Sequence, residues 1–311
     1  MAAIETFALE KTYLAGFWRN QPKTALKPLT LTVPEGEVFG YLGPNGAGKT
    51  TTLKLLMGLI FPSGGSATIL GFDWRDPRVK AHIGFLPEQP YFYDYLTAGE
   101  LLDYYAQLSG VPVRQRRRRI DAVLERVGLP GVRELQLRKF SKGMLQRLGI
   151  AQAIIHDPRL LFLDEPMSGL DPVGRRQVRD LIQSLKDEGK TVFFSTHILS
   201  DAEALCDRVA VLHQGELRGL GVVQDLLARF SGKVELICDA AAAAGALTAL
   251  GGQCHATGET IRAVLPQSQL DPAIDAVRRA RGRIVSVTPL RASLEDYFLE
   301  KLTEVPAEVS R

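Results

Sequence analysis

The octapeptide Gly43-Pro44-Asn45-Gly46-Ala47-Gly48-Lys49-Thr50 has the spacing G-x-x-x-x-G-K-[ST] of a phosphate loop. It follows the apolar run Val38–Leu42 and opens a helical stretch, the context such a loop needs. Small residues at Gly43, Gly46, Ala47 and Gly48 let backbone N–H groups turn inward around phosphate oxygens. The helix behind them presents its positive end to the same anion. Lys49 supplies a full positive charge for terminal phosphates, and the Thr50 hydroxyl suits a magnesium ion. The candidate phosphate-binding set is therefore Gly43, Asn45, Gly46, Ala47, Gly48, Lys49, Thr50 and Thr51.

A carboxylate pair supplies the complementary chemistry. In Leu160-Leu161-Phe162-Leu163-Asp164-Glu165, four apolar residues carry Asp164 to the end of a buried strand, and Glu165 follows it. Asp164 can hold magnesium directly or through water. Glu165 can orient or deprotonate an attacking water, provided it lies within hydrogen-bond reach. A polar pair closing a strand has the same composition, so the phosphate loop is what gives this pair its meaning.

Phosphate loops serve many chemistries, and the sequence between the two motifs separates them. Phe140-Ser141-Lys142-Gly143-Met144, followed by Leu145-Gln146-Arg147, resembles the signature motif of ATP-binding cassette (ABC) proteins, usually written LSGGQ, and departs from it at three of five positions. Ser141 and Gly143 are retained and offer a hydroxyl, a backbone N–H and a helix N-terminus to a γ-phosphate. Lys142 stands for a glycine and adds bulk and charge, while Met144 stands for an amide and forgoes its hydrogen bonds. This SKGM core is similar to that of a subset of bacterial ABC exporter ATPases. Gln89, the run Ser168-Gly169-Leu170-Asp171 and His197 fall in the order of the family's Q-loop, D-loop and switch histidine. His197 follows Val192-Phe193-Phe194-Ser195-Thr196, a position from which an imidazole can donate to a γ-phosphate.

The resemblance covers roughly residues 1–230. It implies ATP as ligand and Mg2+ as its companion, held by Thr50, Gln89 and Asp164, with Glu165, His197 and Gln89 as the catalytic set. It places Ser168 and Asp171 in the D-loop and Tyr13 on the adenine, with Phe17 or Trp18 as alternative stacking rings. In the family two cassettes face head to tail, so Ser141, Lys142, Gly143 and Met144 of one chain would cover the ATP of another. One copy of each motif implies a homodimer, or a heterodimer with a related cassette subunit. The resemblance further implies separate integral membrane permease subunits, a peripheral place on the cytoplasmic face of the inner (plasma) membrane, and export.

The elements that must position these residues read as α/β. Apolar runs at 37–42, 160–163 and 191–194 are unbroken, as in strands buried on both faces of a parallel sheet. Helical stretches are expected at 50–59, 97–109, 116–127, 144–155, 172–188 and 200–206. The nucleotide-binding domain is thus expected over 1–230, with a helical subdomain at about 90–155, and an accessory domain over 231–311. Beyond about residue 230 a strand at 233–238, a helix at 240–250, strands at 253–256 and 260–265, a helix at 270–280 and a strand at 283–288 give the order β-α-β-β-α-β. That order resembles a small α+β, ferredoxin-like unit. A closing helix at 293–302 contains Ser293-Leu294-Glu295-Asp296-Tyr297-Phe298-Leu299, which looks like the ending of exporter cassettes with an extra C-terminal domain. Its use is dimer contact or regulation, or simply stability.

Bulk composition narrows the partners. Thirty-eight basic against 35 acidic residues in 311 leave a net charge of +3, so no nucleic acid partner is expected. Cys206, Cys238 and Cys254 are odd in number and widely spaced, which fits a reducing compartment rather than a disulfide framework. No secretory signal and no run of about 18 uncharged apolar residues is evident. A cassette ATPase acting on ribosomes or DNA would carry two cassettes or a long coiled coil, and a small-molecule kinase would need an acceptor site; neither signal is present. Two further segments stand out. Pro90-Tyr91-Phe92-Tyr93-Asp94-Tyr95 offers aromatic surface for a partner helix or for internal packing. Arg114-Gln115-Arg116-Arg117-Arg118-Arg119 reads as a solvated helix start, with anionic lipid headgroups as the next option.

Overall fold

The structure, a computed structural model, describes residues 1–15, 21–230, 232–258, 260–290 and 293–303. The chain divides into two units, the first holding Met1–Val223 with Lys301–Arg311 and the second Gln224–Glu300. In chain order the strands of the first are β1 (Ala2–Ala15), β2 (Gln21–Pro34), β3 (Val38–Leu42), β4 (Gly64–Ile69), β5 (Phe72–Asp73), β6 (Ile83–Leu86), β7 (Leu160–Asp164), β8 (Thr191–Thr196), β9 (Arg208–His213) and β10 (Glu216–Val222). Its helices are α1 (Lys49–Leu56), α2 (Ala98–Leu108), α3 (Val113–Arg126), α4 (Lys142–Ile154), α5 (Pro172–Asp187) and α6 (Leu199–Leu205).

Two sheets share one core. The larger has the order β10-β9-β3-β8-β7-β6 and is parallel from β9 to β6, with β10 antiparallel at one edge. Every residue of β3, β7 and β8 is buried, so both faces of these strands are covered and their interiors are apolar, with polar residues only at the ends of β7 and β8. The smaller sheet, β2-β1-β4-β5, is antiparallel. In β2, Leu29, Leu31 and Val33 are buried while Thr30 and Thr32 point outward, the alternation of a strand covered on one face. Those side chains join Phe39, Tyr41, Phe162 and Phe193 from the parallel sheet and Leu53 and Leu56 from α1 in a single apolar cluster. Helix α1 runs shorter than expected, because Gly58 at φ 63° breaks the helical path just beyond it.

The parallel strands end together, which sets the carboxylates beside the loop. Strands β3, β8 and β7 are neighbours, and their ends carry Leu42, Thr196 and Asp164. Helices α2, α3 and α4 lie in the chain between β6 and β7. A capping box fixes the start of α2: Glu100 N–H donates to Thr97 Oγ1 and Thr97 N–H to Glu100 Oε2.

The second unit contains α7 (Val223–Phe230), which starts at its boundary, β11 (Lys233–Asp239), α8 (Ala244–Ala249), β12 (Gln253–Thr257), β13 (Thr260–Pro266), α9 (Leu270–Arg279), β14 (Arg283–Leu290) and α10 (Leu294–Thr303) as far as Glu300. Its antiparallel sheet has the order β12-β13-β11-β14, the ferredoxin-like arrangement for a β-α-β-β-α-β chain. Val234, Leu236, Cys238, Ile261, Ala263 and Leu265 pack from it against Leu247 and Val277 of the helices. The expected helix at 240–250 is α-helical only over Ala244–Ala249, behind a 3-10 turn at Ala241–Ala243. The alanine run offers no side chain to cap an earlier start. Helix α10 begins with Ser293 and Asp296 exchanging hydrogen bonds.

Candidate active site

The loop between β3 and α1 fits only a glycine at 48. Gly48 sits at φ 106°, and a Cβ there would fall 2.4 Å from the carbonyl oxygen of Ala25 on β2. The antiparallel sheet therefore comes directly behind the loop. Gly43 N–H donates to the Thr196 carbonyl at the end of β8, which ties the loop to the neighbouring strand.

Lys49 is 6% exposed, and its ammonium donates to the carbonyls of Gly43 at 2.7 Å and Pro44 at 3.3 Å. The same ammonium lies 3.4 Å from Oε1 of Glu165. Glu165 Oε2 is 2.9 Å from His197 Nδ1. One buried carboxylate thus bridges the loop lysine and an imidazole that is partly open to solvent. Glu165 holds φ at 49°, in the left-handed region, and its N–H donates to Ser195. A non-glycine residue kept there is strained, and such strain concentrates where geometry matters more than stability. Asp164, one residue earlier, is buried and accepts from the hydroxyl of Ser195, its register partner on β8.

Lys49, Glu165 and His197 line a cavity of about 640 Å3, a size suited to a small organic ligand, whereas Gly43 and Asp164 lie behind its wall. Asn45, Gly46, Ala47, Gly48, Lys49, Thr50, Thr51, Glu165, Ser168 and His197 all face it, and Tyr13 stands on its wall. The Tyr13 ring carries the Lys11 ammonium 5.0 Å from its centroid. Phe17 and Trp18 lie outside the described residues. Lys23, Thr24 and Ala25 of β2 and Glu88 also line the cavity, and sequence reasoning missed them.

Gln89 lines a neighbouring cavity of about 260 Å3 together with Glu88, Lys142, Gln146 and Ser168. Glu88 and Ser168 border both cavities. Ser141 caps α4, its hydroxyl accepting from Met144 N–H at 3.2 Å. None of Ser141, Lys142, Gly143 and Met144 is on the wall of the larger cavity. Lys142 and Gly143 lie instead beside residues 169 and 170 of their own chain. Gln146 donates to the Pro166 carbonyl, a Cβ on Gly143 would touch Leu170, and the Lys142 side chain lies across Gly169, which sits at φ 68°. Asp171 caps α5 by accepting from Gly174 N–H at 2.8 Å. Asp201 on α6 was also unforeseen. It is 3% exposed, its Oδ1 is 4.0 Å from Arg179, and burial pushes its carboxyl above the ordinary range against the pull of Arg175 and Arg179.

An ABC transporter ATP-binding protein of Synechocystis sp. is 46% identical to this chain over 97% of it and 85% of the relative. The chain belongs to the ABC transporter ATP-binding family. The family model for ABC transporters matches residues 26–168, which include the phosphate loop, the signature segment and the carboxylate pair. A bacitracin transport ATP-binding protein of Bacillus licheniformis is 46% identical over 61% of this chain and 62% of its own length. Among solved structures, a dimeric ATP-binding cassette in a post-hydrolysis state with ADP and Pi is similar at a TM-score of 0.65 and 26% identity, covering 71% of this chain and 98% of that one. This ABC chain is accordingly an ATP-binding subunit of a transporter and an ATPase. No helix among the described residues is long and apolar enough to cross a membrane.

Proposed function

We propose that the chain is the ATP-driven subunit of an exporter, a peripheral protein working as a head-to-tail dimer on separate permease chains at the cytoplasmic face of the inner membrane. The position of Glu165 carries the reading: one carboxylate oxygen reaches Lys49 and the other His197, at the mouth of the phosphate loop. When ATP enters, Lys49 exchanges the Gly43 and Pro44 carbonyls for phosphate oxygens and releases Glu165 to take a proton from, or orient, the attacking water. His197 donates to the γ-phosphate while Glu165 fixes its ring orientation. Tyr13 stacks on the adenine.

The donors near the loop fit Mg2+. Thr50 offers a hydroxyl on the cavity wall and Asp164 a buried carboxylate that accepts from Ser195, both hard oxygens, and no cluster of three or more His, Cys, Asp or Glu among the described residues suggests a softer metal. Thr50, Asp164 and Gln89 would hold the ion, which offsets the negative charge of the phosphates.

Ser141, Lys142, Gly143 and Met144 would act on ATP held by the opposite chain, an identical or related cassette, and Ser168 and Asp171 would form the D-loop. Residues 1–230 would form the nucleotide-binding domain and 231–311 an accessory domain for dimer contact or regulation. The export direction draws support from the SKGM core and from the bacitracin transport relative. Permease docking is supported by Tyr91, Tyr93 and Tyr95, which stand exposed around a cavity of about 300 Å3.

The test is Glu165→Gln. The variant should bind ATP, run as a dimer with it on size exclusion, and turn over at least a hundredfold more slowly, in line with the usual worth of a general base. Undiminished turnover would reject the catalytic role. Co-purification of a polytopic membrane protein with the wild-type chain tests the permease reading separately.

A further inference from the structure

Helix α3 carries its charges against its own dipole. Arg114, Arg116, Arg117, Arg118 and Arg119 fill its first two turns, and no acidic residue stands in the first turn; Asp121 and Glu125 come later. A helix N-terminus is positive, so cations there weaken the helix. Arg116 turns inward to the Val111 carbonyl, and Arg119 lies 3.9 Å from Asp157. Arg114, Arg117 and Arg118 are exposed, and among the described residues no carboxylate pairs with them. Three cations gathered on one exposed surface, at a cost to the helix and without internal partners, call for an external anion.

The flanking side chains identify the kind of anion. Leu108, 66% exposed, ends α2, and Val113, 73% exposed, begins α3 across the turn that joins them. Tyr104 lies one helical turn before Leu108 on the same face of α2 and lines the aromatic cavity with Tyr91, Tyr93 and Tyr95. Apolar side chains beside guanidinium groups suit the boundary between acyl chains and anionic headgroups. Single-stranded nucleic acid would instead require aromatic side chains among the arginines, and the run has none.

We infer that the corner between α2 and α3 is a membrane-contact surface for anionic phospholipid, with Arg114, Arg117 and Arg118 on the headgroups and Leu108 and Val113 at the acyl boundary. The inference rests on the peripheral membrane placement proposed above and is independent of the catalytic assignments. It adds to permease docking a second attachment, one that is electrostatic and weakened by salt.

The experiment is co-sedimentation of the full chain with vesicles of phosphatidylcholine alone and of phosphatidylcholine with phosphatidylglycerol. Binding should be confined to the anionic vesicles and fall as salt is raised. The triple variant Arg114→Gln, Arg117→Gln, Arg118→Gln should lose affinity on the order of a hundredfold, while its ATPase activity matches the wild type and its unfolding temperature is equal or higher, because cations leave the positive end of the helix. A double variant Leu108→Ser, Val113→Ser should bind more weakly at equal charge. Equal binding to neutral vesicles, or full binding by the folded triple variant, overturns the inference. A chain that ignores both vesicles yet co-purifies with a permease also overturns it, and leaves the permease reading intact. Arginine-dependent binding to RNA with no vesicle binding would overturn it in favour of the other polyanion.

Discussion

His197 Nδ1 stands 2.9 Å from Glu165 Oε2, so the imidazole and the carboxylate at the mouth of the phosphate loop form one unit. Residues that act as a unit give strongly non-additive losses when removed. On the proposed mechanism, in which His197 meets the γ-phosphate during the reaction, His197→Ala should lower kcat roughly a hundredfold with KM for ATP little changed. The double variant His197→Ala, Glu165→Gln should be barely slower than Glu165→Gln alone. Steady-state ATPase kinetics of the three proteins decide this; multiplicative losses would mean that the two groups act independently.

The contact of Lys142 with Gly169 separates backbone strain from side-chain crowding. A Cβ on Gly169 would sit 2.2 Å from Lys142 Nζ, but a lysine tip can move, whereas φ at 68° cannot change without reshaping the turn. Gly169→Ala should cost about 1–2 kcal/mol, the usual penalty of the left-handed conformation. The loss should persist when Lys142→Gly is added. Urea unfolding midpoints of the single and double variants test this; a loss that vanished in the double variant would assign it to the lysine.

Asp201 should govern part of the pH dependence of stability. Burial raises its carboxyl above the ordinary range, with Glu165 adding in the same direction and Arg175, Arg179 and His197 opposing. A carboxyl whose pKa is higher folded than unfolded contributes stability that is complete below its unfolded value and is lost as pH rises through its folded value. Asp201→Asn removes that loss. Relative to wild type, the variant should gain stability as pH climbs from roughly 4 towards 7. Thermal unfolding across that window tests the sign, and a variant that falls behind as pH rises would refute it.

The phosphate loop and the pair Asp164-Glu165 were legible because each is a continuous stretch next to a strand whose burial on both faces leaves an unbroken apolar run. The antiparallel sheet was not. Its long strand β1 has register shifts against β2 between Thr6 and Leu9 and again to Lys11 and Thr12, and Ala8 turns to φ 47°. Such bulges break the period of two on which strand recognition depends. The cavity wall of Lys23, Thr24 and Ala25 stayed hidden for the same reason, since only pairing across the sheet brings it behind Gly48. The direction of Lys142 was equally hidden. Its sequence neighbours mark a signature segment, but the packing of α4 against residues 166–170 sends its side chain over Gly169.

Tyr91 and Tyr93 offer the cleanest separation of coupling from catalysis. Tyr91 is 93% exposed and Tyr93 61%, so replacing both with alanine removes little buried area and should leave the unfolding temperature near that of the wild type. Neither ring lines the cavity at the phosphate loop, so the isolated double variant should hydrolyse ATP at the wild-type rate. Aromatic anchors carry a large share of interface energy, and their loss should matter only when a partner is present. With the permease reconstituted in vesicles, the double variant should transport far more slowly per ATP hydrolysed. A variant that transports at the wild-type ratio would remove the aromatic surface from the coupling path, and equal losses in the isolated chain would trace the effect to folding instead.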